Sequence, residues 1–105
     1  MKIGKLRHLI NIEESRVSRD SFGGEVSEWI QFAEVWADVS PVSGREFTSF
    51  KQLNSEITTK ITIRYLEGIS TEMRILFRDR IFEIESVINP EERNISLILM
   101  CKEVV

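Results

Sequence analysis

His8 is the only histidine and Cys101 the only cysteine among the 105 residues. A histidine acting as a general base needs a second group to orient it, and a metal site needs a cluster of ligands. The two could pair only if the first and last strands were neighbours. Otherwise Cys101, set among apolar residues, is a small buried hydrophobe. Glu83 and Glu85, two apart on one strand, could divide acid and base roles if their environments differed. The plainer role is a solvated face opposite Arg74 or Lys102. Gly23-Gly24 lacks the further glycines and the lysine of a phosphate-binding loop. No nucleophile elbow or zinc spacing is present. The residues predict no enzyme, no cofactor and no metal.

A second chemistry to weigh is nucleic-acid binding, which small barrels achieve with basic side chains and interleaved aromatics. Lys60 and Arg64 share a strand face with Thr58 and Thr62, but alternation turns Tyr65 away from it. The net charge of −3 argues against a dedicated nucleic-acid surface. That face reads as solvated or as contacting another subunit.

The elements that position these residues are mostly strands. Leu6, His8, Ile10 and Ile12 alternate with polar neighbours and predict a first strand. Glu14 to Glu25 is polar, ends in Gly23-Gly24 and predicts an exposed loop. Val26 to Val39 predicts two strands, about Val26–Ile30 and Ala33–Val39, with a bend or bulge near Gln31-Phe32. Ser43-Gly44-Arg45-Glu46 is a capping-box pattern. With Phe47, Phe50 and Leu53 at three-residue spacing, it predicts one short amphipathic helix over Ser43 to Asn54. Ile57 to Tyr65 is a cleanly alternating strand, followed by a loop turning at Gly68. Met73 to Cys101 predicts a three-stranded meander. Its turns fall at Arg78-Asp79-Arg80 and at Asn89 to Asn94, and Phe82, Ile84, Ser86 and Ile88 share one face.

The expected fold is mainly β: a small antiparallel β-barrel of about six or seven strands in a single domain over residues 1–105, with one short helix inserted in a loop. A lone cysteine, no apolar run near the ~20 residues of a membrane span and no signal-peptide core predict a cytoplasmic chain without a membrane partner.

The chain resembles the head-to-tail joining (head closure, stopper or adaptor) proteins of tailed bacteriophages and prophages. The resemblance lies in an ordered series of motifs. Ile3-Gly4-Lys5-Leu6-Arg7-His8 comes first, then Phe22-Gly23-Gly24 followed by Trp29. Val35-Trp36-Ala37-Asp38-Val39 with Pro41 precedes Ser43-Gly44-Arg45-Glu46. Arg80-Ile81-Phe82-Glu83-Ile84, Val87-Ile88-Asn89-Pro90 and Glu92-Arg93 close the series. The resemblance implies a structural virion protein and a β-barrel. It further implies self-association into a ring, a dodecamer matching the portal, between the portal or adaptor ring and the tail proteins. Packaged DNA would pass through its lumen without sequence-specific binding. The place is the virion neck, with the host cytoplasm during assembly. A reading from another class is a small β-barrel binding module for nucleic acid or peptide.

Two stretches are candidate joints. Ser43, Gly44, Arg45 and Glu46 lead into the Phe47, Phe50 and Leu53 stripe, which either packs on a neighbouring subunit or caps its own barrel. Phe22, beside Gly23 and Gly24, either docks into a partner or folds back on its own sheet. The mixed charges Arg16, Arg19, Asp20 and Arg78, Asp79, Arg80 either meet their opposites across interfaces or are solvated turns.

Overall fold

The structure, a computed structural model, describes residues 6–42 and 57–104. The helix expected over Ser43 to Asn54 lies outside the described residues, and with it Ser43, Gly44, Arg45, Glu46, Phe47, Phe50 and Leu53. The described residues form six strands: β1 (His8–Arg19), β2 (Glu25–Pro41), β3 (Thr59–Arg64), β4 (Arg74–Phe77), β5 (Arg80–Ile88) and β6 (Ser96–Val104). They close into an antiparallel barrel in the order β1-β2-β3-β6-β5-β4. Closure leaves no sheet edge within the barrel, which suits strands carrying apolar residues on both faces.

Period-two alternation fills the interior. Ile10, Ile12, Ala37, Ile61, Ile63, Ile75, Phe82, Leu99 and Cys101 are fully buried there. On the outside of β6, Met100 is also fully buried, in a second cluster with Val42, Ile57, Ile88 and Ile98.

Two bulges interrupt the alternation. β2 is one continuous strand where two were expected. Ile12 faces Ala33 and Glu13 faces Gln31, so Phe32 is the unpaired extra residue. A bulge absorbs the break in pattern and bends the strand without ending it. Phe32 packs on the core cluster from there. It also lies against Gly68, at φ +96°, where a Cβ would come within 3.1 Å of its ring. The second bulge is in β5: Ile84 faces Cys101 and Ser86 faces Met100, leaving Glu85 over. It swaps the faces beyond it. Val87 packs on the interior cluster and Ile88 on the outer one, the reverse of strict alternation.

The two turns of the meander form as expected. Arg78, at φ 57°, turns β4 into β5. At the other, Asn89 Oδ1 accepts from Asn94 N–H at 3.1 Å while Asn89 Nδ2 donates to Asn94 Oδ1 at 2.7 Å.

Candidate assembly interface

The residues with chemical potential are dispersed. β1 is flanked by β2 and β4, and β6 by β3 and β5, so His8 and Cys101 lie on strands that are not paired. His8 sits edge-on to the Phe77 ring at 5.0 Å. The Cys101 thiol is buried and donates to the Leu99 carbonyl at 3.5 Å. Burial, and secondarily the negative charge of Glu85, pushes it up to about 12. A thiol reagent at pH 8 is therefore expected to leave Cys101 unlabelled in the folded chain and to label it fully in denaturant. Rapid native labelling would contradict the packed interior.

Glu83 lies across from both Arg74 and Lys102, with Lys102 Nζ at 3.6 Å. Glu85 occupies the bulge, so the two carboxylates do not form an in-register pair. Among the described residues, no group of three or more His, Cys, Asp or Glu is placed to hold a metal ion.

The most prominent surface feature is an arm. β1 pairs with β4 only over Asn11 to Glu13, whereas its pairing with β2 continues to Arg19 and Glu25. Residues 14–30 therefore project from the barrel as a two-stranded ribbon, and the principal extents are 51 × 28 × 28 Å. The expected loop from Glu14 to Glu25 is thus mostly strand, and only Asp20 to Gly24 turns. Asp20 builds this turn. Its Oδ1 accepts from Phe22 N–H at 2.9 Å and Gly24 N–H at 2.8 Å, and its own N–H donates to the Gly24 carbonyl at 2.8 Å. A side-chain oxygen standing in for backbone acceptors is how aspartate stabilises tight turns. Gly23 supplies the positive φ, +81°. A Cβ on Gly24 would come within 3.2 Å of the Asp20 carboxylate. Phe22 is held at the apex, 95% exposed. The ring folded back on its own sheet is not what forms.

Register sorts the ribbon into two faces. Val17 and Trp29, with Ser15 and Ser27, share one, while Glu14, Arg16 and Glu28 share the other. Val17, Val26 and Trp29 are all exposed.

A two-stranded ribbon is marginal in water by itself, and Arg74 ties its base to the barrel. Arg74 Nε donates to Glu13 Oε1 at 2.8 Å, and its guanidinium lies 4.3 Å from the centre of the Trp29 ring. One side chain on β4 thus holds both strands of the arm by a charge-assisted bond and a cation–π contact. Arg74→Ala is expected to cost about 1–2 kcal/mol, discounted for partial exposure. It should also speed amide exchange through residues 14–30 while leaving the barrel's exchange unchanged. Equal exchange in the arm before and after would rule the clamp out.

At the opposite end of the same hairpin, an apolar groove of about 530 Å³ opens between Leu6, Val35, Trp36, Arg64, Tyr65 and Leu66. Trp36 is 56% exposed and faces the exposed Leu9 across β1 and β2. Trp36 belongs to the Val35-Trp36-Ala37-Asp38-Val39 motif of the resemblance but was not among the candidate joints. Its outward position was nevertheless available, since Val35, Ala37 and Val39 fix the inner face and leave Trp36 outside.

The mixed-charge turns divide. Arg80 makes two hydrogen bonds with Glu103, at 3.1 and 2.8 Å, which hold the Glu103 carboxyl below the usual carboxylate range. Arg80 is therefore satisfied within the chain. Arg16 pairs with the neighbouring Glu14, at 3.4 Å, in a solvated pair of little energetic consequence.

A protein-family model described as phage head completion protein matches residues 1–104. Among solved structures, the solution structure of protein SF1141 from Shigella flexneri 2a is 30% identical. The alignment covers 98% of this chain and 96% of that one, with a TM-score of 0.82. A chain in the virion of a native gene transfer agent particle is 25% identical over 95% of this chain and 96% of that one, with a TM-score of 0.62. No curated protein matches the chain. Since the family match spans nearly every residue and includes both the barrel and the arm, the chain belongs to the phage head completion proteins, structural components of the phage virion.

Proposed function

We propose that the chain acts as a single domain at the virion neck, assembling as a ring, a dodecamer, between the portal or adaptor and the tail. There it closes the DNA-filled head and offers the tail its docking surface. The observation that carries this reading is the arm. A rigid closed barrel holds out an ordered hairpin tipped by an exposed Phe22, a form suited to joining and not to catalysis. Family membership and the virion neighbour support the same direction. The Ser43 to Asn54 segment, with Phe47, Phe50 and Leu53, is a second proposed joint. A lumen through which DNA must leave should not grip phosphates, and a chain of net charge −3 is compatible with such a conduit.

The test is deletion of the gene in its phage or prophage, with electron microscopy of the lysate. DNA-free or leaking heads beside complete, unattached tails are the expected result. Normal infectious particles would remove the neck role.

A further inference from the structure

The β1–β2 hairpin carries an apolar knob at one end and an apolar groove at the other. The knob is Phe22, fixed outward by Asp20. The groove opens at the barrel end of the hairpin, around Trp36 and Tyr65. From Trp36 back to the turn at Glu25 is a strand run of about 36 Å. The groove therefore lies beyond the reach of its own chain's Phe22, because the hydrogen-bonded ribbon between them holds them apart. Charge favours the match. Among the described residues, Arg64 is the one charge that lines the groove, and it is exposed and without an ion-pair partner. The charges nearest Phe22 are Asp20 and, facing each other across the ribbon, Arg19 and Glu25; with one positive charge against two negative, the tip is net acidic.

We propose that the Phe22 tip of one copy seats in the Trp36–Tyr65 groove of the next copy, joining subunits arm to barrel. This names the self-association partner of the arm and rests on the reading of the chain as a ring-forming neck protein. The contact is heterologous, since knob and groove are different surfaces. Repetition of such a contact closes into a ring when its rotation allows, and otherwise gives a filament. One aromatic tip buries far less than the roughly 1,200 Å² of a stable interface. The free chain is therefore expected to be monomeric when dilute and to associate when concentrated or held beside its neighbours on a partner ring.

Cysteine pairing tests this, because the native Cys101 is buried. Chains carrying Phe22→Cys and chains carrying Tyr65→Cys are mixed at high concentration under mild oxidation. The control pair is Phe22→Cys with Thr71→Cys at the arm's base. The 22–65 bond is expected at least about tenfold above the control, as proximity demands. The double variant should give a ladder of oligomers linked 22 to 65, confirmed by mass spectrometry of the peptides. Yields equal to the control would overturn the proposal. The same double variant is then followed into particles. Complete, DNA-filled particles that contain the chain but lack the 22–65 bond would sink the arm-to-groove contact and leave the neck role standing. Normal particles without the chain would sink both.

Discussion

Phe22→Ser is expected to leave the purified chain's melting temperature within about 4 °C of wild type. It should nevertheless abolish most head completion when it replaces the wild-type gene. The two expectations follow from one fact: the ring is 95% exposed. An exposed side chain at a turn apex has almost no packing to lose, so the folded and unfolded states lose its contribution about equally. A docked aromatic anchor, in contrast, is worth at least about 2 kcal/mol, or roughly 30-fold in affinity per contact. In a closed assembly every joint is weakened at once. The measurement pairs thermal unfolding of the purified variant with particle counts from a complemented deletion. Wild-type numbers of complete particles would remove Phe22 from the joint. A large drop in melting temperature would instead mean that the ring is buried in the chain's own sheet.

The barrel was legible in the sequence because its interior alternates. Thr59 to Ile63, Met73 to Phe77, Phe82 to Ile84 and Leu97 to Cys101 each place every second side chain inside, and that periodicity survives without knowledge of partners. The arm was not legible for the converse reason. Residues 14–19 contact solvent on both faces, so their alternation has no hydrophobic contrast, and a strand of this kind reads as a polar loop. It is a strand because residues 25–30 lie beside it, which is a pairing and not a local property. The bulge at Phe32 was suggested by the break at Gln31-Phe32. The bulge at Glu85 was not, since both Val87 and Ile88 are apolar and either could face inward. Arg74 carried no signal for its clamp, because Glu13 is 61 positions away in the chain. For Phe22 the sequence narrowed the outcomes to docking outward or folding back. The two hydrogen bonds from Phe22 and Gly24 to Asp20 Oδ1 hold it outward.

Phe82→Ala is expected to be the most damaging single truncation in the barrel, costing about 3–5 kcal/mol. Phe82 is among the largest fully buried side chains, on β5 between β4 and β6, and its neighbours are fixed by ladders on both sides. A closed barrel cannot slide strands together to fill the void, because every strand is paired to two others, so most of the cavity should persist. The guanidinium of Arg80, 4.9 Å from the ring centre, also loses the surface it lies on while it holds Glu103. For a domain of this size the loss corresponds to a fall of very roughly 15–30 °C in melting temperature. Against a typical stability of 5–15 kcal/mol, such a chain would fold in the cold and fail when warm. Head completion should therefore become temperature-sensitive in this variant, whereas Phe22→Ser should fail at every temperature. Phe82→Leu, which keeps most of the volume, should cost less than about 1.5 kcal/mol and restore growth at the higher temperature. A cost below about 1 kcal/mol for Phe82→Ala would mean that the barrel interior is not the packed core that holds the arm in place.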